Sequence, residues 1–90
     1  MKLPLLIRRI EGHSMIPILV PGKIIIASGW LPVRAGDVVT ARIAGKDVIK
    51  RVSKINKDKL SLKGDNATDT TDYSSVPRSQ VIGRLIWPRL

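Results

Sequence analysis

Apolar residues fall in short runs along this chain, and Gly, Pro, Asn and Asp punctuate them. Leu5 to Ile10 reads as a short strand. Pro21-Gly22 is a turn dipeptide, and the β-branched run Lys23 to Ala27 after it is too short for a helix and fits a buried strand. Gly36-Asp37 opens a strand over Val38 to Ile43, Ala44 to Asp47 fits a hairpin turn, and Val48 to Ile55 pairs back. Asn56-Lys57-Asp58 turns the chain again, and Lys59 to Lys63 alternates as a half-buried strand. Gly64 to Arg78 reads as a polar loop and Val81 to Trp87 as a closing strand. No repeat, low-complexity linker or amphipathic helix of ordinary length interrupts this pattern. The expected fold is all-β, a small compact barrel of hairpins.

Period two also sorts side chains. Val48, Lys50 and Val52 share one face of their strand, and Ile49, Arg51, Ser53 and Ile55 share the other. Lys50 therefore stands between two valines on a face expected to be buried. Burial disfavours the charged amine, and a neutral lysine can accept a hydroxyl proton. The bland alternative is a lysine reaching from a sheet edge into water. Arg51 cannot serve as a base, because guanidinium stays protonated.

Composition narrows the chemistry. Ninety residues, 1–90, suit a single small domain with one modest core. With no Phe and only Trp30, Tyr73 and Trp87 as aromatics, the core must be Ile, Val and Leu. Both tryptophans are expected to pack in the core or at a barrel end rather than touch substrate. The absence of Cys excludes disulfides, thiolate zinc sites and thiol catalysis, and one histidine, His13, excludes a His-rich metal site. The net charge of +9 suits nucleic acid, an anionic membrane surface or an acidic substrate. Scattered basic residues and few aromatics disfavour nucleic acid. No segment is long enough to span a bilayer, so a chain complete at its N-terminus is expected to be cytoplasmic, with peripheral membrane contact left open.

The chemistry is placed at Glu11 to Gly22. Ser14 lies between flexible Gly12 and restrictive Pro17, which pushes Ile16 towards an extended conformation. Alone, Ser14 would read as a loop hydroxyl bonding nearby backbone. His13 adjoins it, and neighbours on an extended segment point apart, which disfavours a Ser-His-Asp triad. Lys63-Gly64-Asp65-Asn66 and the following Thr and Asp residues read by themselves as a self-capping turn.

Taken together, Ser14-Met15-x-Pro17-x-Leu19-x-x-Gly22, Gly36-Asp37-Val38-Val39, Lys50-Arg51-Val52 and Gly64-Asp65-Asn66 with its Thr and Asp resemble, in order, the boxes of the signal peptidase I family of Ser/Lys peptidases. The resemblance implies Ser14 as nucleophile, Lys50 as general base and the Ser14 backbone N–H as oxyanion donor. It implies Thr70 as the hydroxyl that orients the lysine, Asp65 and Asn66 as the structural turn, and Asp72 as the loop acid. It implies no cofactor, no metal, and a protein or peptide substrate carrying an N-terminal leader or signal segment. The ending Gly83 to Pro88 is similar to that of small proteases that mature nickel-type superoxide dismutase.

The departures leave room for rivals. Tyr73-Ser74 stands where the family continues with Ser-Arg, which puts its Asp–Arg ion pair in doubt unless Arg78 substitutes. Gly12 offers no side chain as a second oxyanion donor. Gly64 follows Lys50 by 14 positions, which leaves no room there for the inserted domain of larger relatives. Self-cleaving repressors share the Ser/Lys fold but need a DNA-binding domain and a cleavage segment, for which 90 residues leave no space. The alternatives to a leader-removing serine endopeptidase are an inactive peptide-binding relative and a basic β-barrel that binds nucleic acid.

Overall fold

The computed structural model describes residues 2–68 and 71–89. Seven strands follow one another: β1 (Leu6–Arg9), β2 (Ile24–Ser28), β3 (Val38–Ile43), β4 (Lys46–Asn56), β5 (Lys59–Lys63), β6 (Tyr73–Pro77) and β7 (Val81–Trp87). A 3₁₀ turn, Arg78–Gln80, links the last two. All pairings are antiparallel, in the order β1-β2-β7-β3-β4-β5-β6. The all-β reading therefore holds.

The sheet does not close into a barrel. Its order starts at β1 and stops at β6, so two edges remain. A flat sheet with its side chains would be about 10 Å thick. The molecule measures 29 × 26 × 25 Å, so the sheet must curl strongly. Curling sorts the apolar residues into two cores. Val39, Ala41, Val52, Leu60, Leu62, Val76 and Val81 form the larger. Ile10, Met15, Leu19, Ile25 and Val38 form the second, with Ile49 and Leu85 against it. Adjacent residues of β3, Val38 and Val39, go to different cores, as the two-residue period requires.

Close packing explains Gly83. A Cβ there would sit 3.0 Å from Leu6 Cδ2 and 3.1 Å from Ala27 Cβ. β7 runs between β2 and β3, so a side chain at this position would press on Leu6 and Ala27. The β3–β4 turn is Ala44-Gly45, both at positive φ (51° and 80°), as a two-residue type I′ hairpin requires.

Three sequence expectations need correction. The stretch 64–78 is not all loop, because β6 lies inside it and pairs with β5. Its period is broken: Ser74 and Ser75 are both exposed, Ser75 has φ 54°, and the register slips between Leu60 and Leu62. Ile55 packs on the same core as Val48 and Val52, because a bulge between Val52 and Lys54 resets the alternation. Trp30 and Trp87 are exposed rather than core residues, and the Trp30 Nε1–H donates to the Lys2 carbonyl at 3.1 Å.

Candidate active site

Ser14 rides on the β1–β2 connection. The Ile10 N–H donates to Lys23 O at 2.7 Å and the Gly22 N–H to Ile10 O at 2.9 Å, which ties residues 11–21 into a compact loop. Gly12 has φ 78° with open space around it, so backbone conformation and not crowding demands glycine there. Met15 and Leu19, 2% and 3% exposed, drop into the second core. Burying two such side chains contributes about 3–6 kcal/mol, enough to pin the loop. Residues 14–18 are a turn rather than an extended segment. The Leu19 N–H donates to Met15 O at 2.9 Å, and the Ile16–Pro17 peptide is cis. Ser14 thus opens a hydrogen-bonded turn whose underside is core.

Lys50 is 5% exposed and lies opposite Val39 of β3. Its Nζ stands 5.9 Å from the centre of the Tyr73 ring, so the unforeseen strand β6 carries part of the lysine's wall. Ser14 and Lys50 line one pocket of about 170 Å³ with Gly12, Met15, Ile49 and Tyr73. His13 is exposed and does not line this pocket. A more open hollow of about 600 Å³ lies between Asp37, Arg51, Arg84 and Arg89. Neither Ser14 nor Lys50 lines it.

The Gly-Asp-Asn loop connects serine and lysine. The Arg51 Nε–H donates to Asp65 Oδ1 at 2.9 Å and its Nη2–H to Oδ2 at 2.8 Å. The third arm, Nη1–H, donates to Gly36 O at 2.7 Å. The Asp65 hydrogen bonds hold the Arg51 pKa above its ordinary value, against burial, which lowers it. Arg51 is therefore a strut and not surface decoration. From the other end of the same loop, the Asn66 N–H donates to Ser14 O at 2.8 Å and its Nδ2–H to His13 O at 2.9 Å. Lys50, Arg51, Asp65, Asn66 and Ser14 thus form one continuous path of covalent and hydrogen bonds.

Sequence reasoning missed the strut. It looked for an arginine to pair with Asp72 and did not consider a second pair, Arg51 with Asp65 at 2.8 Å. The Arg78 backbone N–H donates to Asp58 O at 2.8 Å. The signal was present in Arg51, next to the proposed base, and in Asp65, next to Asn66. Asp72 lies at a second hollow with Arg51 and Asp65. Thr70 lies outside the described residues, and its neighbour Thr71 lines the Ser14–Lys50 pocket. Among the described residues no group of three or more His, Cys, Asp or Glu is placed to hold a metal.

Residues 3–86 match the family model described as Peptidase S24-like. The chain belongs to that family. Two signal peptidase I proteins, from two strains of Streptococcus pneumoniae, each match this S24-like chain at 37% identity over 59 residues. The match covers 63% of the chain and 29% of each relative's length. No solved structure matches it. A peptidase family and an all-β sheet with signal peptidase I relatives agree with the resemblance read from the boxes. No helix among the described residues is long and apolar enough to cross a membrane.

Proposed function

We propose that this S24-like chain is a serine endopeptidase with a Ser14–Lys50 dyad that removes an N-terminal leader from a protein substrate. The observation that carries the reading is a buried lysine sharing one small pocket with the loop serine. Burial favours the neutral amine, and the Tyr73 ring opposes it weakly by attracting the cation. Neutral Lys50 takes the Ser14 Oγ proton as Oγ bonds to the peptide carbonyl carbon. The oxyanion meets the Ser14 backbone N–H. Lys50 then passes its proton to the leaving amine, the C–N bond breaks, and Ser14 holds the acyl group as an ester. A water deprotonated by Lys50 attacks the ester, Ser14 Oγ regains a proton from Lys50, and the acid product leaves. Thr70, four positions after Asn66 in the sequence, is proposed to hold the lysine rotamer.

The groove in this reading lies between two strand edges. Among the described residues β1 pairs only with β2, and β5 pairs with β4 only from Arg51 onward. Arg9 to Gly12 on one side and Asp47 to Lys50 on the other line the same pocket. An extended peptide entering there could add as a strand and present its carbonyl to Ser14. Arg8 and Asp47 join the two sides by an ion pair of 3.0 Å, and Asp47 also holds Arg42 at 2.9 Å. The name of the signal peptidase I relatives supports a leader-bearing protein as substrate. The test is a serine-directed covalent probe followed by intact mass. Wild type should gain one adduct on Ser14, and Ser14→Ala should gain none. Equal labelling of both proteins would refute the assignment.

A further inference from the structure

Asn66 does more in this fold than shape a turn. It is the residue that holds both peptide groups flanking Ser14. Its side-chain Nδ2–H donates to the carbonyl of His13 at 2.9 Å, and its backbone N–H donates to the carbonyl of Ser14 at 2.8 Å. The orientation of the amide is fixed from its other end. Oδ1 accepts the Thr68 N–H at 3.1 Å and the Thr68 hydroxyl at 3.0 Å, so the NH₂ group must face His13. The His13 carbonyl and the Ser14 N–H belong to one planar peptide unit, with C=O and N–H on opposite sides in the trans form. Fixing the His13 oxygen towards Asn66 therefore turns the Ser14 N–H away from the loop formed by residues 64–66. The Ile16 N–H supports the same oxygen at a longer 3.2 Å. The plane of this peptide turns about ψ of His13 and φ of Ser14, so the hydrogen bonds to the His13 oxygen are what hold it.

We propose that Asn66 is the positioning residue of the oxyanion site: its amide sets the plane of the His13–Ser14 peptide and so aims the Ser14 N–H at the developing oxyanion. This rests on the peptidase reading above and adds to it a residue that touches neither substrate nor reacting atoms. The geometry gives a specific consequence. Asn66→Asp keeps an oxygen for Thr68 and keeps the backbone N–H on Ser14 O. It loses only the donor to His13 O and places a carboxylate oxygen against that carbonyl, which repels it. The peptide plane should then turn, while Ser14, Lys50 and the groove stay in place.

The experiment compares two ligands of wild type, Asn66→Asp and Asn66→Ala. One is a peptide boronic acid, which forms a tetrahedral adduct on Ser14 Oγ with an oxygen at the oxyanion position. The other is the matching uncleaved peptide, measured on proteins also carrying Ser14→Ala. Removing an oxyanion donor outright costs about 10²–10³-fold in kcat, so misdirecting one should weaken boronate affinity and kcat by roughly 10–100-fold. Ground-state peptide affinity should change by less than about threefold. Urea unfolding of each protein, with and without Ser14→Ala, gives the folded fraction that corrects both affinities, so a loss of stability alone leaves their corrected ratio unchanged. A ratio in both Asn66 variants equal to that of wild type overturns the positioning role and leaves the dyad intact. Wild type binding the peptide but forming no boronate adduct overturns the dyad, and the positioning role with it.

Discussion

Arg51→Lys keeps the charge and most of the length of a residue that looks replaceable in the sequence, so it isolates the value of the strut. Arg51 uses all three arms: two on the Asp65 carboxylate and one on Gly36 O. A lysine at the same Cα is a point donor and can keep about one of these bonds. Each lost hydrogen bond to a charged group is worth about 1.5–3 kcal/mol when buried. The Arg51 side chain is 30% exposed and that of Asp65 15%, so solvent screens part of this. Two lost bonds, discounted by about half, give roughly 2 kcal/mol. For a chain of this size that lowers Tm by about 8–16 °C. Activity should fall further than stability, because the loop released from Arg51 is the one that grips His13 and Ser14. The assay is urea unfolding beside peptide cleavage at a temperature where the variant remains folded. A variant as stable and as active as wild type would refute the strut and restore Arg51 to the surface role its sequence suggests.

Thr70→Val should lower kcat by at least about tenfold with unchanged urea stability, the lower end of what a positioned proton-transfer group contributes being about 10²-fold; unchanged turnover would move the orienting role to Thr71, which lines the pocket. Leu62→Ala, in the larger core at 1% exposure, should cost about 2–5 kcal/mol in chemical denaturation, and a loss below about 1 kcal/mol would contradict the core assignment. Asp47→Asn breaks ion pairs with half-buried Arg8 and exposed Arg42 and should change stability by about 1 kcal/mol or less; a larger loss by thermal melt would show that the bridge across the groove bears structural load.

Much of the fold was legible because its strands are short apolar runs with turn residues between them. Val38 to Ile43 and Lys59 to Lys63 are predicted and observed with the same limits. β6 was illegible because a bulged edge strand with two exposed serines has no two-residue period to detect. The face of Ile55 was misread for a related reason: one extra residue in β4 reverses the alternation beyond Val52. At the site, the inward face of Lys50 followed from its two valine neighbours, since no bulge intervenes between Val48 and Val52. The Arg51–Asp65 strut could not be read from periodicity. It depends on β4 exchanging its partner β3 for β5 near Arg51, which brings the loop after β5 beside the β3 entrance at Gly36. The two open edges of the sheet were equally hidden, because local patterns specify strands and not whether the first meets the last.

The central claim is that Lys50 is the base, and the initial rate of peptide cleavage against pH tests it most directly. Burial disfavours the Lys50 cation. Only the neutral form accepts the Ser14 proton, so the rate should be low in acid and rise along a single limb as pH increases. Lys50→Arg keeps a cation on β4 that stays protonated throughout, and should abolish both the activity and the limb. Substantial activity in Lys50→Arg, with the same rise against pH as wild type, would contradict the account.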